Sequence, residues 1–277
     1  MLRGVGLLLM SEAPKSFSKV PRKVSMCLVF VVLVVLALPV LASAATVTGV
    51  RAAIVPIPGF PETGDVLGAG ADVEIEGRLE GDELPGGLPL QTRKLVLFFP
   101  AGTRIDPTGF PTCTVAKLEE AGPEGCPKES RIADGTVGVA DQIGSGEATR
   151  EEGKLEVFIT PGNGVVAYAN AVAPISAQII IPAHWEAAPA PYGLKLTFEI
   201  PLVDSVPGAL PVSGTSIKEK AGAAIRKNGK TYYYGRVPSK CPKGGFPGKG
   251  EVTLEGGQTI TTELKVPCPK RSVRKKK

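Results

Sequence analysis

The chain has 277 residues, among them 26 prolines and 34 glycines, and carries a formal net charge of +5. That proline content excludes a helix bundle, because proline is tolerated in loops and edge strands but not in helix interiors. The charge excludes a uniformly basic protein: beyond residue 44 there are 27 basic and 26 acidic residues, so the surplus belongs largely to the N-terminal segment.

That segment reads as an export signal. Arg3, Lys15, Lys19, Arg22 and Lys23 precede the apolar run Val24–Leu41, and Ala42-Ser43-Ala44 follows. A basic flank, an apolar stretch and an A-x-A site define a signal peptide over residues 1–44. The apolar stretch approaches the roughly 20 residues that a membrane-spanning helix needs, so retention as a membrane anchor is the alternative. Pro39 favours cleavage, since it breaks the helix just before the small residues. In both cases the basic flank stays cytoplasmic and the rest is expected outside the cytoplasm, extracellular or in the cell envelope.

From residue 45 onward, turn signals separate short runs rich in Val, Ile, Thr and Tyr, which is an all-β pattern. The expected strands are 46–57, 71–79, 88–99, 131–140, 154–160, 165–172, 177–182, 192–202, 215–221, 231–237, 251–255 and 259–266. In Asp72-Val73-Glu74-Ile75-Glu76 the apolar side chains face one way and the acids the other, as in a half-buried antiparallel strand. Asn228-Gly229 is a two-residue hairpin turn, and Gly256-Gly257 turns another. Thr114 can N-cap one short helix over 114–121, which Gly122-Pro123 stops. The expected fold is an antiparallel β-sandwich over residues 45–268, in two packed sheets with that single helix. Residue 205 is an alternative subdivision point, because the charge changes sign there. Residues 45–204 hold 11 basic and 22 acidic residues, and residues 205–277 hold 16 and 4. Residues 269–277 form a basic tail, expected to be disordered.

Four cysteines follow the signal: Cys113, Cys126, Cys241 and Cys268. An even count in an exported chain reads as disulfides, with three connectivities open. The local pairing, Cys113–Cys126 and Cys241–Cys268, is the expected one, because each pair brackets a short self-contained segment. Zinc is the rival and fails on spacing, since no C-x-x-C occurs and His184 is the only histidine.

Two segments carry a resemblance. One runs from Phe99-Pro100-Ala101-Gly102-Thr103 through Pro111-Thr112-Cys113-Thr114 to Cys126-Pro127 and Ser130. The other is Cys241-Pro242-Lys243-Gly244-Gly245-Phe246 with its return to Pro267-Cys268. Together they resemble a group of uncharacterised, secreted, disulfide-containing β-rich proteins of actinobacteria. Where members of that group often have Gly-x-Gly after the serine, this chain has Ala133-Asp134-Gly135. The resemblance implies export and the two local disulfides, and it brings no catalytic residues.

No set of residues names a reaction, and no motif calls for a cofactor. A Ser-His-Asp enzyme would need His184 as its base, but the G-x-S-x-G elbow is missing. Asp72, Glu74 and Glu76, with Asp65 and Asp82 nearby, offer carboxylates for glycoside hydrolysis or for calcium, though a solvated strand face explains them. The best binding cluster is Tyr232-Tyr233-Tyr234 among Lys227, Lys230, Arg236, Lys240 and Lys243. Alternation puts Tyr232 and Tyr234 on one face, and with Lys230 and Arg236 they suit an anionic polymer. Nucleic acid is not expected of an exported chain without a nucleic-acid fold signature. The basic C-terminus is expected to touch anionic cell-wall polymer or a membrane surface. The reading is therefore a non-enzymatic envelope or extracellular protein, structural or binding in role, with a secreted carbohydrate hydrolase as the alternative.

Overall fold

The computed structural model describes residues 44–60, 66–142, 147–206 and 210–269. Residues 1–43 of the expected export signal, Asp65 and residues 270–277 of the expected tail lie outside the described residues.

The chain is all-β. Strands β1 (Thr46–Val55), β2 (Asp72–Glu80) and β3 (Thr92–Pro100) lead to a two-residue strand β4 (Arg104–Ile105) and a helix α1 (Val115–Ala121). A continuous run follows: β5 (Arg131–Asp141), β6 (Thr149–Ile159), β7 (Gly164–Ala171), β8 (Ala177–Ala187) and β9 (Tyr192–Glu199). Then come β10 (Ser213–Ala221), the hairpin β11 (Ala224–Lys227) and β12 (Lys230–Tyr233), the short β13 (Gly235–Arg236), and the closing hairpin β14 (Phe246–Leu254) and β15 (Thr259–Val266). The Asn228-Gly229 turn has φ of 51° and 72°, the left-handed pair that a two-residue hairpin requires.

Eleven strands form a single antiparallel sheet in the order β1-β2-β10-β5-β6-β7-β8-β9-β3-β14-β15. The expected two packed sheets are therefore replaced by one. β10 returns to sit between β2 and β5, and β14 pairs with β3, so strands from both sides of residue 205 share one ladder. The end strands β1 and β15 feed the same apolar clusters. Ala52 and Ile54 meet Leu264, Val266 and Phe246, while Val47 meets Leu254 and Ile260. The sheet thus curls until its two edges lie together and is nearly a barrel.

Alternation along the strands sets inside from outside. Leu155, Val157 and Ile159 of β6, Ala167 of β7, Ile181 of β8 and Leu196 of β9 build the main core inside the curl. On the outside of β1, β2, β10 and β5, Arg51, Glu76, Lys218 and Thr136 stand in one register row, and Ala53, Glu74, Lys220 and Asp134 in the next. Apolar-in and charged-out is the reverse of a lipid-spanning barrel, whose outer band is apolar. Among the described residues no helix is long and apolar enough to cross a membrane.

Both local disulfides are present. Cys113–Cys126, with Cα atoms 5.4 Å apart, closes the loop around α1, and Cys241–Cys268, at 5.9 Å, ties the approach to β14 to the exit from β15. Thr114 caps α1 as expected, its hydroxyl oxygen accepting from the Lys117 amide at 3.2 Å. The helix lies on the outer face of the sheet. There Leu118, fully buried, packs on Phe158, Val166 and Tyr168 beside the disulfide itself.

Candidate functional site

One end of the curled sheet is covered by two excursions. The segment around β4, with Ile105 and Phe110, and the β11–β12 hairpin, with Ile225, Tyr232 and Tyr234, both pack into the main core. β13 pairs with β4, placing Arg236 opposite Arg104, and this locks the two excursions together.

The three tyrosines divide as alternation requires. Tyr232 and Tyr234 share the core-facing side. Tyr234 is buried at 4% exposure, meets Phe110 edge-on at 6.0 Å and accepts a 3.0 Å hydrogen bond from Trp185 Nε1. Burial pushes its hydroxyl up to about 12, against the lowering effect of the Trp185 donor. Its ring is core and does not reach the surface. Tyr232 is half-buried, lies over Gly109 and carries the Lys230 ammonium 5.0 Å from its ring centroid. Gly109, at φ 87°, has no Cβ to collide with that ring.

Tyr233 faces the other way. Its ring packs closely on Gly70 and edge-on to Phe60 at 6.0 Å, and the Arg236 guanidinium stands 5.2 Å from its centroid. Arg226 stands 5.5 Å over Phe60. Lys227 donates to the Gly109 carbonyl at 2.5 Å. The result is a barrel end with Arg104, Arg226, Lys227, Lys230 and Arg236 set around partly exposed rings. Asp106 sits among them. Hydrogen bonds from Thr108 hold its carboxyl below the usual range, and Arg236 and Lys230 lower it further. Cations seated over aromatic faces are held in place by the ring quadrupole.

Of the four residues expected to bind, the structure thus brings Lys230, Tyr232 and Arg236 to one end of the barrel and places Tyr234 beneath them. Phe60, Arg226 and Asp106 join them, with no signal in the local sequence. Phe60 is remote in sequence and meets Tyr233 where Gly70 bridges to Arg236.

The other candidates are elsewhere. His184 is on the outer face of β8, 3.5 Å from Glu186, whose carboxylate also meets Lys195 at 3.1 Å and Thr197 at 3.2 Å. Asp72 and Glu74 both reach Lys220, at 3.0 and 3.8 Å. Burial raises the Asp72 carboxyl in spite of the Lys220 bond. These acids are strand-face partners of the basic residues on β10. They flank an open space of about 870 Å³ whose lining takes in Arg51, Glu76, Lys218 and Asp134 and also Val50, Ile75, Gly135 and Glu219. Among the described residues no group of three or more His, Cys, Asp or Glu side chains could hold a metal ion.

Nothing among family models, curated proteins or solved structures matches this chain.

Proposed function

We propose that the protein is an exported, non-enzymatic binding protein of the cell envelope or exterior, and that the basic, aromatic-rimmed end of the barrel takes an anionic polymer. The observation that carries this reading is the seating of Lys230 over Tyr232, Arg236 over Tyr233 and Arg226 over Phe60. Cations fixed in this way lose little side-chain freedom when an anion arrives, which lowers the cost of binding. The two disulfides fit an oxidising compartment, where such polymers are met. The resemblance to secreted actinobacterial β-rich proteins supports the same location, and the basic C-terminus supplies a second contact of the same sign.

The test is co-sedimentation of the protein with purified anionic wall polymer at low and high salt, for the native chain and for the Arg226→Ala/Lys230→Ala/Arg236→Ala variant. Binding that is lost in the variant and in high salt supports the reading. Equal binding by both chains at low salt overturns it.

A further inference from the structure

The inside of the barrel is unevenly filled. Towards β6, β7 and β8 the inward side chains are packed and buried. In the middle of β1 and β2 three are not: Val50, Val73 and Ile75 are only half-buried and join none of the packed clusters, although the last two alternate with outward acids. Gly250 of β14 lies in register with the inward Leu97 of β3, and a Cβ placed there would meet nothing within 4 Å. Eight strands make a barrel that side chains just fill, whereas a wider one encloses space for a ligand. Here the eleven-stranded sheet leaves a space of about 870 Å³ beside Val50, Ile75 and Glu219.

One charged group faces it without a partner. Glu219 of β10 lies between Ile217 and Ala221, both packed on the main core, so alternation turns it inward as well. Its register neighbours are Ile75 of β2 and Gly135 of β5. Glu219 is half-buried and lines the open space of about 870 Å³ together with Val50, Ile75 and Gly135. Among the described residues none makes a hydrogen bond or ion pair with its carboxyl. The other charges that line the space, Arg51, Lys218, Lys220 and Lys265 among them, are engaged or alternate outward. Lys218 and Lys220 on its own strand alternate outward, and Lys220 is held by Asp72 and Glu74. Glu76 of β2 and Asp134 of β5 stand on the outer face. Glu151 of β6 accepts from the amides of Val172, Ala173 and Ile175.

We propose that this half-filled interior is a binding chamber for a small amphipathic amine, whose apolar body lies against Val50, Val73, Ile75 and Leu97 and whose ammonium pairs with Glu219. A buried carboxylate without a counter-charge is costly, and a ligand cation removes that cost. A matching alcohol gains only the apolar contact, and a fatty carboxylate is repelled. Burial and the nearby Asp134 raise the Glu219 carboxyl to about 7, so the pairing also depends on pH.

The experiment is isothermal titration calorimetry of the full chain with n-octylamine, 1-octanol and octanoate at pH 6 and pH 8. Octylamine is expected to bind one-to-one, and about tenfold more weakly at pH 6 than at pH 8, because Glu219 must then lose a proton on binding. Glu219→Gln should weaken octylamine at least tenfold and remove its pH dependence while leaving octanol unchanged. Gly250→Leu, at a position without a left-handed backbone, should fill the chamber and abolish both octylamine and octanol binding with an unchanged circular dichroism spectrum. Failure of octylamine to bind, octanoate binding as tightly as octylamine, or a Glu219→Gln variant that binds like the native chain would each overturn the proposal. If Glu219→Gln does not fold, the octylamine–octanoate comparison and the Gly250→Leu variant decide it.

Discussion

The indole Nε1 of Trp185 donates a 3.0 Å hydrogen bond to the hydroxyl of Tyr234, joining β8 to the residue after β12 across the inside of the sheet. The bond fixes the covering hairpin to the wall, and the same ring meets Phe110 of the other covering segment. Tyr234→Phe keeps the ring and removes the acceptor. It should cost about 1–3 kcal/mol, the penalty of leaving a buried donor unpaired. Urea denaturation followed by fluorescence of the single tryptophan measures it. A loss below a few tenths of a kcal/mol would show that the hydroxyl does not hold the hairpin.

The helix on the outside depends on the first disulfide and on one leucine. Leu118→Ala should cost about 2–5 kcal/mol, since its site is closed by Phe158, Val166, Tyr168 and the cystine. Cys113→Ser/Cys126→Ser should cost roughly 3 kcal/mol in the loop-entropy model. The two losses should not add, because both act on the same small cap. Denaturation of the single, double and triple variants checks this, with additive values as the contrary result.

Much of this was legible in the sequence because it is local. Alternation in Asp72–Glu76, the Asn228-Gly229 turn, the Thr114 cap and the short cysteine loops each depend on neighbours along the chain. The single curled sheet was not legible. A sandwich and a barrel share the same inward–outward alternation and differ only in which strands pair. The decisive pairings, β10 with β2 and β14 with β3, join residues far apart in the chain. Tyr234 reads as part of a binding cluster in the local sequence because its partner Trp185 lies 49 residues away. Glu219 does carry a local signal: Ile217-Lys218-Glu219-Lys220-Ala221 puts an acid on the apolar parity of its strand.

That acid makes a prediction about stability. Its carboxyl titrates near 7 in the folded chain, against 4.5 as the ordinary value. The folded state therefore holds this proton more tightly than the unfolded state. The group favours folding most below pH 4.5, and that advantage is lost as pH rises through 7, by ~3 kcal/mol in total. Glutamine has no such titration. The stability of Glu219→Gln relative to the native chain should therefore rise between pH 4 and pH 8 by about that amount. Urea midpoints at the two pH values give the comparison, and a difference independent of pH would show that Glu219 is fully solvated.

Asp106 offers a test of the basic end in the opposite direction from charge removal. It is the acid set among Lys230 and Arg236, which lower its carboxyl after the Thr108 bonds. Asparagine keeps an oxygen to accept the Thr108 amide, now at 3.0 Å, and removes one negative charge. Asp106→Asn should therefore strengthen binding to anionic polymer at low salt. The gain should fade at physiological strength, where the Debye length is about 8 Å. Arg226→Ala should weaken binding in the same assay, because it takes the cation from above Phe60 without touching the core. Removing residues 270–277 should weaken binding further and independently if the tail is a second contact. If Asp106→Asn and Arg226→Ala shift polymer binding in the same direction, charge at this end of the barrel does not govern the interaction.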